Sequence, residues 1–239
     1  MKRKILLSSL LGVVAWSVSS GAAASWDSGA CPQPHTGPAP CFETEVNGNT
    51  YHFNGTGEHA DDWHGLPAAE GGGDFQFSSE YVDIRCSIAN PSCAFSASGQ
   101  VKKCKDSSGA WRIGVRVNSI NLSPGDFVCN FATASGFPWY SKDRTISNQC
   151  PFEDDCDSFL PYEPGASSYV GNFGTATISV TLIGILVEDE YLNGMVFTPG
   201  VGATLDVNDK SFMSCDAGEE SCSVDGTLTL DNATSFDIY

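Results

Sequence analysis

The sequence predicts an all-β protein, an antiparallel β-sandwich of immunoglobulin-like or barrel-like form, stapled by disulfides. Three observations predict it. Short segments alternate apolar and polar residues between turn signals, the period of half-buried strands. The chain carries 25 glycines and 12 prolines, and no window sustains a capped helical period, so turn formers outweigh helix formers. Ten cysteines are present, all beyond a secretory signal, and exported cysteines pair.

The signal occupies residues 1–24. Lys2, Arg3 and Lys4 form its positive start, residues 5–18 its short apolar stretch, and Ala22, Ala23 and Ala24 a small-x-small cleavage site before Ser25. The apolar stretch is too short and too interrupted to span a bilayer, which takes about 20 apolar residues. No other segment qualifies, so no integral membrane segment is expected after signal removal. The expected location is secreted, extracellular or cell-surface, with the periplasm as the alternative.

Residues 25–74 read as a Cys-, His- and Gly-rich N-terminal segment, and 75–239 as the sandwich domain. Four prolines make 25–40 a flexible lead-in. Residues 42–46 and 50–53 alternate around Asn47-Gly48-Asn49, a hairpin signal. Residues 54–74 read as a loop. Strands are then expected at 75–77, 81–86, 111–118 and 127–131. Trp111, Ile113, Val115 and Val117 alternate with Arg112, Gly114, Arg116 and Asn118, the clearest half-buried pattern in the chain. A polar, acidic, stapled loop is expected over 141–167. The β-branched run 175–187 reads as one long strand, followed by strands at 201–207, 224–230 and 236–239.

Cys31, Cys41, Cys86, Cys93, Cys104, Cys129, Cys150, Cys156, Cys215 and Cys222 are expected to form structural disulfides. Proximity in sequence favours Cys31–Cys41, Cys150–Cys156 and Cys215–Cys222, leaving Cys86, Cys93, Cys104 and Cys129 to pair among themselves. Zinc ligation is not expected, because no CxxC or CxxxC pair exists.

The net charge is −17, and removal of the three signal cations takes it to about −20, a surface that repels nucleic acid and anionic lipid. The four histidines lie between His35 and His64. Imidazole and carboxylate together suit zinc, copper or nickel, and His59, Asp61 and His64 are the residues such a metal would use. Their spacing fits neither a helix face nor a strand face, so a solvated or hydrogen-bonded loop is expected instead. Glu153, Asp154, Asp155 and Asp157 crowd around Cys156, but without the glycine and distal glutamate of a calcium loop. No nucleophile elbow, phosphate loop or dinucleotide fingerprint is present, so neither catalytic residues nor a cofactor are expected. Phe137, Trp139 and Tyr140, stiffened by Pro138, could present an apolar surface; the alternative is a core anchor at a strand end.

Several short motifs fall in a recognisable order. Ile84-Arg85-Cys86 precedes Cys93-Ala94-Phe95 and Gly99-Gln100-Val101; Ile120 and Cys129 precede Gly136-Phe137-Pro138-Trp139; Cys222-Ser223-Val224-Asp225-Gly226-Thr227-Leu228 comes last. Over about residues 80–239 the chain thus resembles the PraB-type family of small secreted β proteins, called activators of alkane oxidation and linked to surface adhesion. The resemblance implies a secreted, non-enzymatic surface or matrix protein near hydrophobic substrates such as alkanes. Its partners would be a hydrophobic surface, a matrix component or further copies of itself, and it implies no catalytic residues. Two rival functions remain at this level. One is a pilin-like fibre subunit that lends its alternating terminal strand, 236–239, to a neighbour's edge. The other is a secreted hydrolase or metal-binding protein using the His/Asp loop.

Overall fold

The computed structural model describes residues 26–35, 39–56, 61–181, 184–216 and 218–239. The signal segment, Ser25 and His59 lie outside the described residues. The chain opens with β1 (Asp27–Ser28) and the hairpin β2 (Phe42–Val46) and β3 (Asn49–Phe53). Three long strands follow, β4 (Phe75–Cys86), β5 (Ser92–Lys105) and β6 (Trp111–Asn121). A 3₁₀ turn, Phe127–Phe131, leads into β7 (Ala132–Ser135) and β8 (Trp139–Asp143). Next come β9 (Leu160–Pro161), β10 (Tyr169–Val180) and β11 (Gly184–Thr198). The remainder holds β12 (Gly200–Val201), β13 (Thr204–Asp206), β14 (Lys210–Ser214), β15 (Glu220–Asp225), β16 (Thr227–Leu230) and β17 (Ser235–Ile238).

The larger sheet closes on itself. β4 pairs with β5, β5 with β6, and β6 with β8. β8 and β7 both pair with β10, as successive halves of one stave, and β10 pairs with β11. β11 pairs with β13 and β14, these with β16 and β15, and those return to β4. Every pairing is antiparallel, so the ring is a meander barrel, the barrel-like form of the expected architecture. Closure removes the open edges that would otherwise template aggregation.

Inward positions are apolar. Val82, Ile84, Ala97, Val117, Trp139, Phe173, Ile178, Leu192, Leu205, Phe212, Val224 and Leu228 come from staves all round the ring and are buried. Outward positions such as Ser78, Glu80, Ser96, Ser98, Ser119 and Thr133 are polar, the inverse of a lipid-facing barrel. No helix among the described residues is long and apolar enough to cross a membrane. The interior is filled. Apolar cavities of about 30 and 50 Å³ lie within it, sharing Ala97, Val117 and Leu205 as walls. A benzene-sized guest needs about 150 Å³.

A second sheet, in the order β1-β3-β2-β17-β12, caps one barrel end. Its hairpin forms as expected: Asn47 and Gly48 both take positive φ, 51° and 78°, which the tight turn demands. Phe42 stands opposite Phe53 on one side and Ile238 on the other. Phe236 reaches into the barrel mouth, with its ring centroid 4.9 Å from Phe75 and 5.8 Å from Phe197.

Two strand expectations need correction. Residues 127–131 form a 3₁₀ turn rather than a strand, because the Cys93–Cys129 disulfide and the Asp126 carbonyl, which accepts from the Cys129 N–H at 2.8 Å, curl the chain back. The run 175–187 is not one strand; it contains the end of β10 and the start of β11, with Gly184 at φ 104° where the chain reverses. The terminal strand β17 pairs with β2 along one side, and on its other side β12 pairs with Ser235 and Phe236.

All ten cysteines are paired. Cys31–Cys41 is the expected close pair, and Cys93–Cys129 joins two of the four left over. Cys150–Cys156 and Cys215–Cys222 do not form. The bonds are instead Cys86–Cys222, Cys104–Cys156 and Cys150–Cys215. In the β14–β15 hairpin Cys222 stands opposite Phe212 and, on its other side, opposite Cys86. Cys215, just beyond the end of β14, is left at the hairpin tip.

Candidate functional site

The aromatic trio does not form an exposed patch. Trp139 is 3 % exposed and its indole N–H donates to the Ser135 carbonyl at 3.0 Å. Its side chain points into the barrel, and Phe137 stacks on it at 4.8 Å. Tyr140 faces the opposite side of β8, half-buried beside Trp63. This is the core-anchor alternative. Period-two alternation puts Trp139 and Tyr140 on opposite faces, so the two cannot act together.

The metal candidates also separate. Asp61 is exposed, whereas His64 is 1 % exposed. The His64 ring packs 3.8 Å from Phe53, with Trp26 at 5.8 Å and Phe42 at 6.5 Å. Its backbone pairs with Val101 at the edge of β5. Neither ring nitrogen has a hydrogen-bond partner, and burial pushes its pKa down to about 4. Among the described residues no three His, Cys, Asp or Glu side chains are grouped to hold a metal.

Lys103 is the second polar group in this aromatic plug. It is fully buried, donates to the Pro40 carbonyl, and lies over the rings of Phe53 and Trp111 at 4.9 and 5.6 Å. Burial lowers its pKa to about 8. The signal for it was in the sequence: adjacent lysines on one strand must point to opposite faces, so one of Lys102 and Lys103 had to face inward.

The acidic loop is committed to protein partners. The carboxylate of Asp154 pairs with buried Lys102 and accepts from the Trp63 indole at 2.9 Å. Asp155 accepts from the Asp157 N–H and the Ser158 hydroxyl, at 3.1 and 2.8 Å. Asp157 accepts from the Ser107 N–H.

The exposed apolar groups lie elsewhere. Val201 on β12 is 85 % exposed, Tyr81 and Phe127 are 70 % exposed and Ile88 is 60 %. Tyr81, Ile88 and Phe127 belong to segments knitted around Cys93. Tyr81 sits in the bulge of β4 just before Val82, which stands opposite Cys93. Ile88 lies in the β4–β5 turn, where the Cys86 N–H donates to the Ala89 carbonyl at 2.9 Å. Phe127 opens the 3₁₀ turn bonded through Cys129 to Cys93. The Asp126 carboxylate accepts from the Ser92 N–H at 2.8 Å, and the Asp126 N–H donates back to the Ser92 carbonyl at 3.0 Å. Phe131 supports the Phe127 ring at 4.9 Å. Sequence reading missed Phe127 because a strand alternation would have buried it.

No family model matches the chain, and neither a curated protein nor a solved structure does. The five disulfides suit an oxidising extracellular or periplasmic setting.

Proposed function

We propose that this is an exported, non-enzymatic surface or matrix protein that contacts apolar material through the barrel side around Cys93. One observation carries the reading: Phe127 is 70 % exposed on a turn fixed by a disulfide and two reciprocal hydrogen bonds to Ser92. An apolar ring held in water on a rigid support is preorganised, so little entropy is lost when it docks. Burial of about 200 Å² of such surface yields roughly 5 kcal/mol before immobilisation costs. Single contacts are therefore weak, and attachment depends on many copies.

The test is adsorption of purified protein to hexadecane droplets, comparing the wild type with the triple variant Tyr81→Ser, Ile88→Ser and Phe127→Ser. Loss of adsorption with an unchanged melting midpoint is the expected result. Equal adsorption by the folded triple variant overturns the reading.

A further inference from the structure

We propose that the outer wall formed by β5, β6 and β8 is a binding surface for an acidic polysaccharide, held closed by the protein's own acidic strap, residues 150–158. The first observation is charge segregation. Nine lysines and arginines lie beyond residue 24, and seven of them, Lys102, Lys103, Lys105, Arg112, Arg116, Lys142 and Arg144, fall within 102–144. Lys103 faces the aromatic plug. Alternation places Lys102, Arg112, Arg116, Tyr140 and Lys142 together on the outward face of three adjacent strands. Arg112 is answered locally by Asp106 at 2.8 Å and Asp143 at 3.6 Å, which leaves Lys102, Arg116 and Lys142 as the cations beneath the strap, a cluster that suits an anionic partner.

The second observation is what meets it now. Asp154 of the strap is the counter-ion of Lys102. Pro151 offers its carbonyl to the Lys142 ammonium at 3.1 Å, and Phe152 covers that ammonium at 5.7 Å. Phe159 follows the strap and fills the space over Gly114, where a Cβ would stand 2.8 Å from the ring. Trp63 lies alongside, with Lys102 at 5.0 Å and the Arg116 guanidinium at 4.7 Å from its ring. Carboxylate against ammonium beside an indole face is the chemistry by which a protein holds a uronate sugar. The strap supplies that carboxylate from within the chain. The Arg116 Nη2 donates to the Gln100 side-chain carbonyl, while its buried Nε has no partner among the described residues.

The strap is tethered at both ends, by Cys150–Cys215 and Cys104–Cys156, so it competes at high local concentration and masks the wall. Removing its carboxylate should free Lys102 for an external one. The probe is an oligogalacturonate, titrated calorimetrically into the oxidised protein at low and at physiological salt. Asp154→Asn should bind at least tenfold more tightly than the wild type, and adding Lys102→Gln and Arg116→Gln should remove the gain. A folded Asp154→Asn protein that binds no more tightly overturns the proposal. Should Asp154→Asn fail to fold, the double variant Cys104→Ser, Cys156→Ser unties the strap with every charge kept, and must show the same gain. Equal binding of a single-stranded oligodeoxynucleotide would overturn the assignment to a polysaccharide.

Discussion

The Lys103 ammonium lies 4.9 Å from the centre of the Phe53 ring, and no carboxylate among the described residues is within ion-pair distance of it. His64 shares that ring from 3.8 Å. Two basic groups are thus enclosed by aromatic rings, and burial disfavours the charged form of both.

His64 makes stability depend on acid. Its pKa falls from 6.5 to about 4 on folding. Between those values the unfolded chain binds the proton and the folded protein does not, so stability falls as pH drops through this window. The loss approaches about 3 kcal/mol, at roughly 1.4 kcal/mol per pKa unit. Urea unfolding at pH 4.5 and 7 should show it. His64→Phe, which fits the aromatic surroundings, should flatten that part of the profile; an unchanged slope would refute the assignment.

Lys103 acts in the same direction at higher pH. Its pKa falls from 10.5 to about 8, so stability rises as pH increases from about 8 to 10.5, where only the unfolded chain still holds the proton. Lys103→Met keeps the aliphatic stem on Phe53 and Trp111 and removes the buried charge. We expect it to be stabilising at pH 7 by about 1–3 kcal/mol, since the desolvation of an ammonium whose hydrogen bond among the described residues is to a carbonyl exceeds the one hydrogen bond lost. A destabilised Lys103→Met protein would contradict this.

Trp139→Ala should cost about 3–5 kcal/mol, the usual effect of emptying a large core site, because its side chain is 3 % exposed among Phe173, Ile178 and Leu192. Phe127→Ala should change stability by less than about 0.5 kcal/mol. Thermal melts of the two variants check the contrast, and the reverse ranking would place the exposed ring wrongly.

Non-reducing digestion should yield peptides joined through Cys150–Cys215 and Cys104–Cys156. Recovery of Cys150–Cys156 or Cys215–Cys222 peptides would contradict the fold. Reduction should lower the melting midpoint steeply, because long-range crosslinks each contribute about 2–4 kcal/mol through the unfolded chain.

Local patterns carried their own elements. Asn47-Gly48 between alternating segments placed the first hairpin, and the Trp111–Val117 alternation placed β6, because turn chemistry and period two are written in neighbouring residues. Local pattern misleads where neighbours in space are distant in sequence. Residues 127–131 alternate well enough for a strand, yet a bond to Cys93 curls them. Cys215 and Cys222 are seven residues apart, yet strand register gives Cys222 to Cys86. The acidic loop crowds its carboxylates as a cation site would, yet its Asp154 belongs to Lys102.

By itself the sequence determined an all-β chain, its main turns, the complete use of ten cysteines and an acidic surface. These follow from residue type and short spacing. Tertiary structure alone decided that the strands close into a ring, that Trp139 faces in while Phe127 faces out, and that β17 is flanked by β2 and β12. It also set the cations of β5, β6 and β8 beneath a strap from residues 150–158. Burial, strand register and counter-ion choice depend on which distant segments meet, and a single chain pattern is compatible with many such meetings until packing selects one.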